Sequence, residues 1–266
     1  MEKEWQQIYV DAQNRRHMLM IEDWTNFEES QIPNFFFALE SDLQGSAEAL
    51  LNSLGNKNQS CDCVGECAGL WSQIEKSCCS KISERHLYLK KHRLNEAPNH
   101  MYDEDGRVDM VECGPACTCN ENCHNRVVQR GPRTSLLVFR HHSKGWTLRT
   151  LKDIEKGEYV TEYVGTLFTA AAAPTDDITY QLSDRFTDVD GKEAAVVMDA
   201  KMVGNESRFI SHSCKPNLHS YRVEIPGSES NPPQRRVAFF ATEYIRAGEE
   251  VTFDYFSGKN TFSFDC

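Results

Sequence analysis

The sequence has no long run of apolar residues. Its most apolar stretch, residues 32–39, is far shorter than the roughly 20 residues that cross a bilayer as a helix. The first residues, Met-Glu-Lys-Glu-Trp, also lack the apolar core of a secretory signal peptide. We therefore expect an intracellular protein with no membrane partner.

The sequence is also short of positive charge. It has 29 Lys and Arg residues against 40 Asp and Glu residues, a formal net charge of -11. This balance argues against binding to a phosphate backbone and favours a basic partner such as a cationic peptide or tail. We therefore expect no direct reading of DNA, although acidity that serves only solubility is the alternative explanation.

The length allows one large domain or two modest ones, since 39% of the 266 residues are hydrophobic. Residues 1–58 begin with a helical-looking stretch, residues 4–16, and end with a helix-like segment and a polar linker. Between them lie Phe35, Phe36 and Phe37. A unit of this size would be marginally stable alone, so we expect these phenylalanines to pack on the domain that follows.

Eleven cysteines are a large number for a reducing compartment, where disulfides are rare and metal ligation is the leading explanation. Three tetrahedral zinc ions offer twelve ligand positions, which nine thiolates fill when six bind once and three bridge. Such a cluster is structural because no position remains open for water. Redox thiols or metal storage are the alternatives, which the regular spacing and the large globular remainder disfavour. The nine are Cys61, Cys63, Cys67, Cys78, Cys79, Cys113, Cys117, Cys119 and Cys123.

Short β-favouring segments dominate the chain after residue 124. They cover residues 135–139, 159–164, 178–182, 195–198, 218–225 and 236–241, separated by Gly, Pro and Asp turns. Residues 226–233 read as a polar hairpin tip, and residues 86–100, between the two cysteine groups, as a basic helical excursion. The predicted fold class is mainly β with short helices, built as several small sheets.

Residues 204–217 read G-N-E-S-R-F-I-S-H-S-C-K-P-N and are too polar for a core strand. They supply donors, acceptors and a thiol around two apolar anchors, Phe209 and Ile210. We expect such a segment to be buried against something that it binds. A turn fixed by Pro216 and a few side-chain hydrogen bonds is the alternative.

Five motifs in this order resemble those of SET-domain lysine methyltransferases. They are N-R-V-V-Q-R-G at 125–131, G-W-T-L-R at 145–149, E-Y-V-G at 162–165, the stretch 204–217, and A-G-E-E-V-T-F-D-Y at 247–255. The cysteine block resembles the pre-SET zinc cluster. The adjacent pair Cys78 and Cys79 resembles the suppressor-of-variegation branch, which methylates lysine nine of histone H3.

The resemblance implies a division of the chain into four parts. Residues 1–58 would form an N-terminal segment packed on the core and residues 59–124 the pre-SET zinc cluster. Residues 125–257 would form the SET domain, with a knot-like threaded C-terminal segment, and residues 258–266 a truncated post-SET stub. It further implies methyl transfer from S-adenosylmethionine to a lysine of the histone H3 tail, in the nucleus at chromatin.

The resemblance also assigns roles to single residues. Tyr255 would orient the amine and Tyr180 would line the lysine channel, with aromatic core packing as the alternative for both. Phe253 matches the position that sets product number, and phenylalanine there implies di- or trimethylation. The cofactor would be held by Arg140, Gly145, Trp146, Arg208, Phe209, Ser211 and His212, although Arg140 also suits an exposed strand end.

Two departures from the family pattern point to reduced activity. Ser211 stands where the family usually has an asparagine that supports the cofactor. The family's post-SET cysteines, which complete a fourth zinc site with the cysteine at Cys214, are represented here only by Cys266, so we expect that zinc not to form in this chain alone. A catalytically silent chromatin scaffold and a methyltransferase for a non-histone lysine therefore remain as alternative functions.

Overall fold

The computed structural model describes residues 20–22, 35–43, 47, 49–50, 60–61, 67, 88–89, 93–94, 109–187, 193–228 and 233–256. These residues form short strands joined by turns. Helical backbone among them is limited to two 3₁₀ helices, Val128–Arg130 and Glu206–Phe209, and to a helix that includes Ala47, Ala49 and Leu50. No helix in these parts of the chain is long and apolar enough to cross a membrane.

Sixteen strands are present in the described residues. They are β1 (Met20–Glu22), β2 (Phe36–Phe37), β3 (Asp42–Leu43), β4 (Tyr88–Leu89), β5 (Arg93–Leu94), β6 (Asp109–Val111), β7 (Leu136–His141), β8 (Gly145–Thr150), β9 (Tyr159–Tyr163), β10 (Gly165–Thr169), β11 (Gln181–Thr187), β12 (Glu193–Gly204), β13 (Ser211–His212), β14 (Leu218–Ile225), β15 (Gln234–Ala241) and β16 (Thr252–Phe253).

These strands form several small sheets rather than one large one. A five-stranded sheet has the order β11-β12-β10-β3, with β2 also paired to β12, and a four-stranded sheet has the order β6-β14-β15-β9. A three-stranded sheet, β1-β7-β8, and the pairs β13-β16 and β4-β5 complete the set. The predicted fold class, mainly β in several small sheets, is therefore confirmed.

Most predicted strands lie where the sequence placed them. Strands β7, β9, β14 and β15 coincide with predicted segments within a few residues. The prediction at 178–182 was displaced, since β11 begins only at residue 181. The predicted helix at residues 86–100 was wrong, because β4 and β5 pair antiparallel there. Two short paired strands satisfy each other's backbone groups without the continuous hydrogen-bond ladder of a helix.

The N-terminal phenylalanines join the sheet that follows them in the chain. Strand β2 pairs parallel with the end of β12, placing Phe36 beside Val203. Phe35 and Phe37 pack against the main hydrophobic cluster, while Phe36 is 73% exposed. This alternation is the two-residue period of a strand with one buried face. The predicted helix at residues 4–16 lies outside the described residues.

Two segments distant in sequence cross near the C-terminal end of the described chain. Strand β13 pairs parallel with β16, with Ser211 opposite Thr252 and His212 opposite Phe253. The side chain of Asn217 holds the second segment on both sides: its Nδ2 donates to the Glu250 carbonyl (2.8 Å), and the Thr252 N–H donates to its Oδ1 (2.9 Å). This pairing brings together the polar stretch 204–217 and the C-terminal motif 247–255.

Candidate functional site: a cysteine cluster and an aromatic pocket

Six described cysteines lie in one buried cluster. Their sulfurs form two overlapping groups of four, and within each group all sulfurs lie within 4.8 Å of one another. The groups are Cys61, Cys113, Cys117 and Cys119, and Cys67, Cys113, Cys119 and Cys123. Because both groups contain Cys113 and Cys119, the arrangement has the shared sulfurs that bridging thiolates require.

The sulfur spacing and the surroundings fit a zinc ion. Sulfurs at about 2.3 Å from a tetrahedral zinc lie about 3.8 Å apart, and Cys67 Sγ is 3.4 Å from Cys61 Sγ and 3.5 Å from Cys113 Sγ. N–H groups also face the sulfurs: Asn125 Nδ2 donates to Cys113 (3.4 Å) and an Arg126 nitrogen donates to Cys119 (3.6 Å). Such donors stabilise thiolate charge. Cys63, Cys78 and Cys79 lie outside the described residues.

An open pocket of about 420 Å³ lies beside the crossing of β13 and β16. Aromatic rings form one part of its wall, and the polar start of β11 forms another. Its lining comprises Tyr163, Ile178, Thr179, Gln181, Leu182, Ser183, Asp184, Arg208, Ile210, Ser220, Phe253, Asp254, Tyr255 and Phe256. In the described chain no strand pairs with the outer edge of β11, so an extended peptide could pair with it there.

The hydroxyl protons of two tyrosines at this pocket are committed to backbone carbonyls. Tyr255 donates to the Ile210 carbonyl (2.6 Å), and Tyr163 donates to the Tyr180 carbonyl (2.7 Å). Tyr255 is 46% exposed, but desolvation of its hydroxyl, more than neighbouring groups, raises its pKa to about 12. Burial raises the pKa of Tyr163 as well. Both side chains are therefore neutral near pH 7 to 9, and their oxygens face other ligands with lone pairs only.

Phe253 forms the floor beneath Tyr255. Its residue is 7% exposed, and its ring centroid lies 4.8 Å from that of Phe239 and 4.7 Å from that of Tyr255. The ring has no polar atom, so it presents only an apolar edge to the pocket. Its predicted role in product number is compatible with this position and stays a prediction.

Arg208 is a buried cation with an unusual environment. It is 5% exposed, and none of its three guanidinium nitrogens has a hydrogen-bond partner among the described residues. Its guanidinium carbon lies 4.0 Å from the ring centroids of both Phe35 and Tyr180. Burial lowers the pKa of Arg208, against the opposing influence of Tyr180, but an arginine stays protonated in proteins. The site therefore offers a desolvated positive charge with free N–H groups.

The hairpin of β7 and β8 carries three predicted cofactor residues. Gly145 has φ of 80°, a conformation that a side chain would strain, and no heavy atom lies within 4 Å of the position where a Cβ would be. The Arg140 guanidinium lies 5.9 Å from the Trp146 ring centroid, and both residues are half-buried. Backbone at Gly145 is thus open to close approach by a ligand.

The other four predicted cofactor residues, Arg208 and the three described next, lie on the stretch 204–217. Phe209 is 3% exposed and packs edge-on against Phe35 at 5.8 Å. His212 Nδ1 accepts from the Tyr255 N–H (3.2 Å), and its Nε2 lies 3.6 Å from the Cys214 sulfur. Ser211 Oγ lies 2.7 Å from Thr147 Oγ1, so the hydroxyl that replaces an asparagine amide has a partner. Cys266 lies outside the described residues.

Of the two predicted tyrosines, Tyr255 lines the pocket, whereas Tyr180 packs against Arg208 and is not among the lining residues. Sequence reasoning missed three residues that shape the site. Tyr163 lines the pocket, and its position inside the E-Y-V-G motif was the available signal. Asn217 fixes the segment before Tyr255 and also lay within a motif already noted. Thr147 is fully buried and bridges Ser211 to a carboxylate, a pairing with no signal in the linear sequence.

Two family models match the chain. The model of the SET domain matches residues 145–256, and the model of the Pre-SET motif matches residues 13–126. Among similar proteins, mouse histone-lysine N-methyltransferase EHMT1 is 40% identical over 199 residues, covering 74% of this chain and 14% of that protein. Chicken SUV39H2, also a histone-lysine N-methyltransferase, is 30% identical over 254 residues, covering 94% of this chain and 57% of that protein. The chain spans less than two thirds of these relatives.

Solved structures share the fold. KRYPTONITE in complex with mCHH DNA, H3(1-15) peptide and SAH is similar with a TM-score of 0.67 and 27% identity, over 90% of this chain and 45% of that one. The Neurospora SET domain protein DIM-5, a histone lysine methyltransferase, gives a TM-score of 0.64 and 25% identity, over 93% and 98%. Because KRYPTONITE was solved with DNA, the expectation that the chain does not read DNA gains no support.

Proposed function

Since the chain belongs to the family that joins a pre-SET region to a SET domain, we propose that it methylates lysine side chains with S-adenosylmethionine. Its substrate in this proposal is the histone H3 tail at lysine nine, with two or three methyl groups added, in the nucleus at chromatin. The observation that carries the proposal is the pocket where Tyr163, Phe253 and Tyr255 meet the buried cation of Arg208.

The residues present fit the cofactor. S-adenosylmethionine supplies an electrophilic methyl group on a sulfonium and carries a carboxylate, an amino group and an adenine ring. The desolvated guanidinium of Arg208 suits the carboxylate, because charge-assisted hydrogen bonds are strongest where water is excluded. The open backbone at Gly145 allows close approach, and the Trp146 ring beside it offers an apolar surface.

The pocket also fits a lysine side chain. A lysine with a pKa of about 10.4 loses its proton at pH 7 at a cost of roughly 4.6 kcal/mol. The aromatic part of the wall disfavours the ammonium form, whereas Asp184 and Asp254 favour it, so the cost falls for an amine placed against Phe253 and Tyr255. Neither Tyr163 nor Tyr255 is a base near neutral pH, since both are protonated and donate to carbonyls. Their oxygens can therefore accept hydrogen bonds from the two N–H groups of the neutral amine. Its lone pair is then free to face the methyl group, and this alignment supplies much of the rate enhancement.

The surroundings favour a basic peptide. Asp184 and Asp254 line the pocket, and the whole chain has a formal net charge of -11. A substrate strand paired to the outer edge of β11 would place its side chains alternately toward and away from the pocket. This geometry favours a lysine within an extended basic segment, as in a histone tail.

A methyl-transfer assay tests the proposal. The chain, loaded with zinc, is incubated with radiolabelled S-adenosylmethionine and H3 tail peptides in which single lysines are replaced, and label is expected only when lysine nine is present. Tyr255→Phe keeps the ring but removes the hydroxyl, and we expect kcat to fall roughly 10- to 100-fold, as for loss of one positioned hydrogen bond.

The matched control is Tyr244→Phe. Tyr244 is 47% exposed and does not line the pocket. The methyl-transfer activity of Tyr244→Phe should therefore equal that of the wild type. Label on a peptide without lysine nine would redirect the proposal to another lysine.

A silent scaffold is the second candidate, favoured by Ser211 in place of the family asparagine. It predicts no heat on titration with S-adenosylmethionine at millimolar concentration while the zinc cluster is intact.

A further inference from the structure

Four side chains form a continuous polar network beside the predicted cofactor residues. Lys144 Nζ lies 2.9 Å from Glu250 Oε2, Thr147 Oγ1 donates to Glu250 Oε1 (2.6 Å), and Thr147 Oγ1 lies 2.7 Å from Ser211 Oγ. The Thr147 hydroxyl on β8 is the meeting point of the network, since it contacts both Ser211 on β13 and Glu250 before β16. Thr147, at its centre, is fully buried.

The direction of these hydrogen bonds follows from counting protons. Burial would raise the pKa of Glu250, but hydrogen bonds from Thr147 and Lys144 outweigh it and the pKa is lowered. Glu250 is therefore a carboxylate at neutral pH and can only accept. A threonine hydroxyl has one proton. Because Thr147 donates it to Glu250, Thr147 can only accept a hydrogen bond from Ser211.

The polarity of Ser211 is then fixed. Its one proton is donated to Thr147 Oγ1, 2.7 Å away. The Ser211 oxygen consequently offers only lone pairs to any other ligand. An asparagine at this position would offer both a donor and an acceptor, so the replacement changes which ligand groups can bind there.

We propose that the network of Lys144, Glu250 and Thr147 fixes Ser211 as a hydrogen-bond acceptor for an amino group of the bound cofactor. The inference rests on the proposed function and deepens it. The cationic amino group of the amino-acid half fits best, because the network ends on a carboxylate whose charge favours a cation through the polarised hydroxyls. Thr147 and Glu250 are positioning residues in this proposal, since they act through Ser211.

Calorimetric titration with S-adenosylhomocysteine tests the network without turnover. Thr147→Val replaces the hydroxyl with a methyl group of similar size, and we expect Kd to rise about 5- to 30-fold because Ser211 is no longer held as an acceptor. Thr147→Ser keeps the hydroxyl and should bind within about twofold of the wild type. Thr242→Val, an exposed threonine, is the matched control and should bind as the wild type does.

Two analogues identify the amino group and separate positioning from folding. One lacks the α-amino group and the other lacks the adenine 6-amino group. The effect of Thr147→Val should vanish with the first analogue and persist with the second; the opposite result assigns the acceptor to adenine and overturns the preference for the amino-acid half. An equal loss for all three ligands shows a structural effect only and overturns the inference.

A further variant covers the case in which Thr147→Val does not fold. Ser211→Ala removes the acceptor from a half-buried position, and its affinity for S-adenosylhomocysteine should fall by a similar factor but not for the analogue without the α-amino group. A wild-type chain that binds no S-adenosylhomocysteine overturns the proposed function itself. A wild-type chain that binds it while Thr147→Val and Ser211→Ala bind equally well overturns only the network.

Discussion

The Asn217 side chain should control both the stability of the chain and the placement of its C-terminal motif. It accepts from the Thr252 N–H at 2.9 Å and donates to the Glu250 carbonyl at 2.8 Å. Asn217→Ala removes both hydrogen bonds and leaves two backbone groups in a partly buried place without these partners. At about 1 kcal/mol for each bond and somewhat more for the desolvated groups, we expect a loss of about 2 to 3 kcal/mol.

Asn217→Asp is the sharper variant because it changes little in size. The carboxylate still accepts from Thr252, but its second oxygen now faces the Glu250 carbonyl, an acceptor, at the distance where Nδ2 donated. This repulsion raises the pKa of the new carboxyl in the folded state. The penalty is therefore fully present at neutral pH and is lost as pH falls, once the protonated carboxyl can donate again.

Urea unfolding of the zinc-loaded protein, followed by circular dichroism, measures both effects. In a thermal scan of the same protein, a loss of 2 to 3 kcal/mol would lower Tm by roughly 4 to 12 °C. Asn122→Asp is the control for the added charge, since Asn122 is exposed and only its backbone N–H takes part in the hydrogen bond to Asn120. The reasoning is refuted if Asn217→Asp is as stable as Asn122→Asp at pH 8, or equally destabilised at every pH.

Three further predictions can be checked separately. Phe253→Tyr adds a hydroxyl beside Tyr255, so mass spectrometry of the peptide product should show a shift from di- and trimethyl to monomethyl lysine; an unchanged product pattern would contradict the role of this position. Removing metal with a chelator should release about three zinc ions and unfold the cysteine region, because structural zinc supplies on the order of 10 kcal/mol of folding energy; retention of structure after full metal loss would contradict it. Burial raises the pKa of Glu162 from 4.5 to about 7 despite its contact with Arg236, so its folded form favours the proton. This one group therefore destabilises the wild type as pH rises from about 4.5 to 7, so Glu162→Gln should gain stability relative to the wild type over that range; a difference between the two urea profiles that does not change with pH would exclude this cause.

Much of the fold followed from local pattern. Segments rich in β-branched and aromatic residues marked β7, β9, β14 and β15. These strands are buried over runs of neighbouring positions: all five residues of β9 and the last five of β15 are buried. The short strands β13 and β16 carried no such signal, since two residues make no period and their pairing joins segments far apart in sequence. The helix predicted at residues 86–100 failed for a related reason: charge and length alone do not distinguish a helix from a short hairpin.

The sequence by itself determined the chemistry available to this protein. Cysteine spacing pointed to sulfur-bound metal, and the ordered motifs supplied the tyrosines, arginine and serine of the site. Only the tertiary structure decided how these groups act. It placed Arg208 between two rings with no hydrogen-bond partner in the described part of the chain, committed the hydroxyl protons of Tyr163 and Tyr255 to carbonyls, and turned Ser211 into an acceptor through Thr147. Hydrogen-bond direction depends on which groups meet across the fold, and a linear sequence does not contain that information.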